Sequence, residues 1–168
     1  MAKVLNYGRK GHTSGEYLRF LRQRGEAMAR EHPDFILVQL GTNDVRVDGD
    51  LTTTDIFGRN LEEIIGLFRG FTDRRGRPAH VLLATIPPLP EECTAPFGPD
   101  SRDRVSREIN PRIRRIAASE GLPLADNYSL FLRSPEFLPD VHPTSEGYRL
   151  MANNWLETLR PLLSEMAD

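Results

Sequence analysis

The sequence is poor in cysteine, in net charge and in long apolar runs, and each shortage excludes a class of protein. Cys93 is the only cysteine in 168 residues, so the chain forms no internal disulfide. The 22 basic and 24 acidic residues give a formal charge of -2, which favours neither nucleic acid nor an anionic membrane as partner. No segment approaches the roughly 20 apolar residues of a membrane span, and the first residues carry no secretory apolar core. We therefore expect a soluble, cytoplasmic protein.

Short apolar runs alternate with longer segments of helical periodicity. This alternation is typical of an α/β domain in which crossover helices wrap a parallel sheet. The length suits one domain with its own hydrophobic core, which we expect to span 1–168. The run at 35–38 is uniformly apolar, which predicts a strand covered by helices on both faces. Strands are predicted at 3–6, 35–38, 81–86 and 122–125.

Helical periodicity predicts three long helices, at 15–30, 54–70 and 145–163. A further helical pattern contains Pro111, and we expect a break there with Asn110 as the N-cap. The last helix is expected to bury one apolar face, formed by Tyr148, Met151, Ala152, Trp155, Leu156 and Leu159.

Three loops that leave the predicted strands carry reactive side chains, at 8–14, 41–44 and 126–142. In a parallel α/β sheet the loops at the carboxyl ends of the strands converge, and helix N-termini expose unpaired amides there. The sequence therefore predicts a ligand site at this edge of the sheet.

The motifs in these loops resemble those of a known family. They are Asn6-Tyr7-Gly8-Arg9-Lys10-Gly11-His12-Thr13-Ser14, Leu40-Gly41-Thr42-Asn43-Asp44 and Asp140-Val141-His142-Pro143. Together they resemble the second, third and last sequence blocks of the SGNH (GDSL-type) hydrolases. The resemblance implies a flavodoxin-like three-layer α/β/α sandwich with a parallel sheet. It also implies hydrolysis of a small-molecule ester through a serine acyl-enzyme, without a cofactor or metal ion.

The resemblance gives Gly11 and Asn43 the role of oxyanion donors. A backbone amide that stabilises an oxyanion must approach to about 3 Å with no side chain in the way, which suits glycine. A neutral side-chain amide stabilises the charge without a charge of its own to desolvate. Ordinary turns explain both residues as well, because positive φ favours glycine and Asn is common at strand ends.

The resemblance makes His142 the catalytic base, since imidazole titrates near neutrality and can move a serine proton. Solvent contact or helix capping is the alternative for a loop histidine. The family places its aspartate three residues before the histidine, whereas Asp140 lies two before it and Pro139 takes the expected position. Asp140 is therefore the candidate that orients His142, with a backbone carbonyl as the alternative.

The nucleophile of the family is missing, because no Gly-Asp-Ser occurs in the sequence. The nearest match, Gly98-Pro99-Asp100-Ser101, precedes a predicted helix, so we interpret Ser101 as an N-cap and likewise Ser14. In the family the nucleophile ends a first strand that lies inside the sheet. We therefore expect a sheet that lacks this strand, and a neighbouring copy of the chain could cover the gap.

Three functional hypotheses follow. The first is an SGNH-type hydrolase of a small acyl or acetyl ester, including esters of carbohydrates, whose serine lies outside this sequence. The second is a binding module, a pseudoenzyme that keeps the pocket for an ester or carbohydrate. The third is an unrelated flavodoxin-like domain, for which the sequence offers no phosphate-binding loop.

Overall fold

The computed structural model describes residues 3–49 and 52–165. The strands are β1 (Phe35–Val38), β2 (His80–Ala84) and β3 (Leu124–Ala125). The helices are α1 (Ser14–Ala29), α2 (Thr54–Arg69), α3 (Pro99–Arg104), α4 (Asn110–Glu120), α5 (Asn127–Leu132) and α6 (Ser145–Glu165). Within these two ranges, no helix combines the length and apolar character needed to cross a bilayer.

The three strands form one parallel sheet in the order β1-β2-β3. Leu37 stands opposite Leu82, and Leu83 stands opposite Leu124. Two neighbouring parallel strands must be joined by a crossover connection. Here α2 connects β1 to β2, and α3 and α4 connect β2 to β3. The predicted α/β class with a parallel sheet is confirmed.

One face of the sheet is covered by α1, α2 and α4. Successive strand residues point to opposite faces, and Val38, Val81 and Leu83 are the ones that join this layer. Apolar residues of the three helices complete the cluster, among them Leu21, Leu61, Ile64, Phe68, Ile113 and Ile116. This layer holds most of the hydrophobic core and fixes the position of β1 and β2.

The opposite face is covered only in part. Leu82 is fully buried there, whereas its neighbour Leu37 on β1 is 46% exposed. The helices of this side, α5 and α6, contact each other, and α6 packs on β3 at the other edge. The prediction that 35–38 is covered on both faces is therefore wrong, because in the described part of the chain neither α5 nor α6 packs on β1 as α6 does on β3.

The predicted buried face of the last helix is also wrong. None of Tyr148, Met151, Ala152, Trp155, Leu156 and Leu159 is buried. The helix itself forms as expected, but β3 has only two residues, so α6 meets little sheet against which to pack.

The strand predicted at 3–6 does not form. Residues 3–6 do not pair with any described strand, and Val4 is 89% exposed. A single extended segment is not stable without a partner strand, whatever its β propensity. Lys3 instead pairs with Glu31 at 3.0 Å, near the end of α1.

The break predicted at Pro111 takes another form. A π-helical turn, Val105–Ile109, joins α3 to α4, so the helix continues through Asn110 and Pro111. A widened turn before the proline relieves the clash of its ring with the preceding turn. Asn110 is not a cap: its side chain bonds the amide and the carbonyl of Ile86, both at 2.9 Å, where β2 has ended.

Candidate active site

The turn before α1 presents Gly11 at the carboxyl edge of the sheet. Gly11 has φ 77°, and no atom lies within 4 Å of the place where a β-carbon would stand. The left-handed φ explains the glycine by itself, and the open space leaves its surroundings accessible. Thr13 and Glu16 form a capping box, so Thr13 and not the predicted Ser14 caps α1.

The turn after β1 presents Asn43 beside Gly11. Asn43 opens a short 3-10 helix, Asn43–Val45, and its Nδ2 donates to the carbonyl oxygen of His12 at 3.0 Å. Gly41 has φ 129°, and a β-carbon there would stand 2.8 Å from Cγ2 of Ile109. The structure thus brings the two predicted oxyanion donors, Gly11 and Asn43, into neighbouring turns that are bonded to each other.

A buried carboxylate joins the same two turns. Asp44 accepts hydrogen bonds from the Ser14 amide at 2.9 and 3.1 Å and from the Ser14 hydroxyl at 2.5 Å. Asn60 of α2 donates to the Ser14 hydroxyl at 3.0 Å. Burial raises the pKa of Asp44, and the bonds from Ser14 together with the charge of Arg104 oppose that rise. Sequence reasoning missed this contact because Asp44 fits an ordinary strand-end turn.

His142 and Asp140 lie together in the loop before α6. His142 Nδ1 is 3.4 Å from Asp140 Oδ1, and the two side chains are 67% and 66% exposed. The same carboxylate oxygen accepts the backbone amide of His142. The two-residue spacing therefore lets Asp140 reach the imidazole, although at a distance longer than a good hydrogen bond.

Asn43 comes after β1, and Asp140 and His142 come after β3 in the chain. β1 and β3 flank β2, so they are separated by two strand spacings, about 10 Å. Asn127, the first residue of α5, donates to Oε1 of Gln39 at 2.7 Å and accepts from Asn154 of α6 at 2.8 Å. These bonds join the chain after β1 to the chain after β3. They were not predicted, because Gln39 and Asn127 lie 88 positions apart.

Asp126 follows β3 directly and accepts several hydrogen bonds from neighbouring elements. Burial raises the pKa of Asp126, but hydrogen bonds from Ser129, Thr85 and Arg114 lower it to about 2. Its Oδ1 accepts from the Ser129 amide at 3.1 Å and caps α5. A carboxylate held in the ionised form by these donors fixes the loop that leads toward His142.

Neither serine considered in the sequence is free to attack a substrate. Ser101 is fully buried, and its hydroxyl donates to the Val45 carbonyl at 2.7 Å. The predicted N-cap role of Ser101 is wrong, because Gly98 occupies the N-cap of α3. Ser14 is fully buried as well, with its hydroxyl held by Asp44.

Cys93 in the loop after β2 and Val141 in the loop that carries His142 both pack against the main hydrophobic cluster. Burial raises the pKa of the Cys93 thiol, and the negative charge of Asp140 raises it further. In the described part of the chain no three metal-ligating side chains cluster. The Nδ1 atom of His12 is buried and has no hydrogen-bond partner among the described residues.

Comparisons with known proteins agree on one family. The sequence model of the GDSL-like Lipase/Acylhydrolase family matches residues 1–150. A multidomain esterase from Ruminococcus flavefaciens is 30% identical over 144 residues, which are 84% of this chain and 17% of that protein. The chain thus spans about 17% of the length of this relative.

Solved structures share the fold. An acetylxylan esterase from Geobacillus stearothermophilus aligns with a TM-score of 0.69 at 20% identity, over 92% of this chain and 71% of that one. A lipase/acylhydrolase from Enterococcus faecalis gives 0.70 at 23% identity, over 90% and 72%. A GDSL-like lipase from Bacteroides thetaiotaomicron gives 0.70 at 24%, over 90% and 73%.

Proposed function

Because this chain belongs to the GDSL-like lipase/acylhydrolase family, a family of ester hydrolases, we propose that it carries most of an acyl-ester hydrolase site. The contact that supports the proposal best is the 3.0 Å bond from Asn43 to the His12 carbonyl, next to Gly11. This bond joins the turn that holds Asn43 to the turn that holds Gly11.

In the proposed reaction Gly11 and Asn43 stabilise the oxyanion. One hydrogen of the Asn43 amide is used by His12, so the second is available to a substrate oxygen. The negative charge that develops on the carbonyl oxygen meets donors that are already oriented and need no rearrangement. Removing one such donor typically costs about 100- to 1000-fold in kcat.

His142 is the proposed general base and Asp140 its orienting partner. The imidazole takes the proton of a serine hydroxyl as that oxygen attacks the ester carbonyl, and returns it to the leaving alkoxide. Water then hydrolyses the acyl-enzyme with the same base. The serine itself belongs to a Gly-Asp-Ser turn that this sequence does not contain.

We propose acetyl or other small acyl esters on a carbohydrate as the substrate class. The fold neighbour that is an acetylxylan esterase motivates this choice. The loop 89–100 is the proposed wall of the acyl pocket, because Cys93 in this loop and Val141 beside His142 pack against the same hydrophobic cluster. The His142 side chain is 67% exposed, which leaves room for a large alcohol that carries a short acyl group.

The test needs two matched versions of the chain. The serine-bearing version extends the N-terminus by an apolar strand that ends in Gly-Asp-Ser; the alanine-bearing version ends in Gly-Asp-Ala. We expect p-nitrophenyl acetate hydrolysis by the serine-bearing version alone, with fluorophosphonate labelling of its serine. Equal rates for the two versions would refute the proposal. Saturable binding of acetylated xylo-oligosaccharides without turnover would assign a binding module instead.

The same extension is proposed to cover the free edge of β1, where Leu37 is 46% exposed. Without it, we propose that a second copy of the chain covers this edge. Light scattering checks this: we expect dimers or larger species of the unextended chain and monomers of the serine-bearing version. A cytoplasmic location is part of the proposal; the single cysteine, which excludes an internal disulfide, supports it, and cell fractionation tests it.

A further inference from the structure

We propose that Asp44 is a positioning residue: it holds the two oxyanion donors, Gly11 and Asn43, at a fixed distance and orientation to each other. The inference rests on the proposed function, because the pair matters only if it serves an ester carbonyl. Asp44 itself is 2% exposed and touches no substrate, so it acts through the turns that it joins.

The contact set is specific to a carboxylate. Ser14 offers Asp44 two donors, its amide and its hydroxyl, and Asn60 already donates to that hydroxyl. The hydroxyl hydrogen is therefore directed toward Asp44, and only an acceptor satisfies it. A carboxylate accepts at both of its oxygens, whereas an Asn side chain would place its NH2 group at the Oδ2 position, 2.9 Å from the Ser14 amide, donor against donor.

Burying this charge is costly, and the surroundings offset the cost locally. Ser14 is the first residue of α1, whose N-terminal dipole end favours a negative charge. Arg104 donates to the backbone carbonyl of Asp44 at 3.1 Å and adds a positive charge nearby. A buried, well-satisfied carboxylate of this kind has a single arrangement, so it fixes the distance between its two attachments.

Asp44 and Ser14, the two ends of this contact, lie close in sequence to the proposed donors. Asp44 follows Asn43, and Ser14 lies three positions after Gly11. The Asn43 bond to His12 closes the loop from the other side. The Asp44 contact with Ser14 and the Asn43 bond to His12 together restrict movement of one turn against the other. Without the Asp44 contact, the Asn43 bond alone would have to align the two donors.

The first arm of the test follows the donors directly in the full chain. Nitrogen-15 spectra are compared for the parent, Asp44→Asn and Asp73→Asn. Asp73 is the matched control, because it is 4% exposed and accepts the Arg75 and Arg77 amides at 2.8 and 2.9 Å before β2, at the opposite end of the sheet. We expect Asp44→Asn to shift the signals of the Gly11 amide and the Asn43 side chain and to speed hydrogen exchange at Ser14 at least ten-fold.

Two outcomes would overturn the proposal in this arm. One is a folded Asp44→Asn chain with Gly11 and Asn43 signals unchanged. The other is an equal change in Asp73→Asn, since that would reflect general loosening. If Asp44→Asn does not fold, Ser14→Ala replaces it: this variant removes only the hydroxyl bond and should show the same changes on a smaller scale.

The second arm measures catalysis in the serine-bearing version. Asp44→Asn should lower kcat at least ten-fold with KM within two-fold, and adding Ser14→Ala should lower it no further. An unchanged kcat would overturn the positioning role. If the serine-bearing version is inactive, the proposed function fails, and the spectra alone decide whether Asp44 aligns the two turns.

Discussion

Gly147 of α6 lies so close to Phe137 that a β-carbon on it would stand 2.6 Å from the Phe137 carbonyl oxygen. It would also stand 2.8 Å from Cβ of Pro143, the residue after His142. The start of α6 is thus pressed against the loop that carries the proposed base, and a glycine makes this approach possible.

We expect Gly147→Ala to lower the free energy of unfolding by about 1 to 3 kcal/mol, because backbone and proline atoms cannot yield to the added methyl group. Gly66→Ala in α2 is the control, since a β-carbon there meets nothing within 4 Å. That change should stabilise the chain by about 0.5 to 1 kcal/mol. Urea unfolding measures both, and equal effects of the two variants would contradict the packing argument.

Asn127→Ala should lower the free energy of unfolding by about 2 to 3 kcal/mol. Asn127 is fully buried, and its loss leaves Oε1 of Gln39 and the amide of Asn154 without their partners. Asn153 is exposed on α6, next to Asn154, so Asn153→Ala should change the free energy of unfolding by less than about 0.5 kcal/mol. A loss below 1 kcal/mol for Asn127→Ala would mean that water replaces the network.

Acid should weaken the fold through Asp126. Its pKa is lowered from 3.8 to about 2, so its contribution is complete above pH 4 and is lost as the pH falls through about 2. The side chain is 38% exposed, so solvent screening reduces the contribution to about 1 kcal/mol. The difference in unfolding free energy between the parent and Asp126→Asn should therefore shrink from pH 5 to pH 2; a constant difference would contradict the assignment.

In the serine-bearing version, His142→Ala should lower kcat by at least about 1000-fold, as expected for loss of the base of a triad. Asp140→Asn should cost less, about 10- to 100-fold, because the pair is largely exposed and 3.4 Å apart. Glu136→Gln, an exposed change in the same loop, is the control and should leave kcat unchanged. Equal activity of Asp140→Asn and the parent would instead favour a backbone carbonyl as the partner of His142.

The family, the α/β class and most element positions could be predicted from the sequence. Periodicity located α1, α2 and α6 to within about two residues, because their caps and stripes are local features. The role of each site residue stays a prediction, as does the extent of the domain over 1–168. What the structure adds is the proximity of Gly11 to Asn43 and of Asp140 to His142.

The errors concern burial and partners at long range. The pattern at 35–38 is that of a doubly covered strand, yet coverage depends on layers that a local pattern does not describe. The segment 3–6 has the residues of a strand and lacks a neighbour. Asn110 resembles a cap and instead bonds Ile86, a contact across 24 positions that no spacing rule indicates.

The partly covered sheet also affects how the protein behaves at high concentration. Among the described residues, β1 is an edge strand of the sheet and has the exposed Leu37 beside it, and an edge strand of this kind is a template for intermolecular β pairing. We expect concentrated samples to aggregate and to bind hydrophobic dyes.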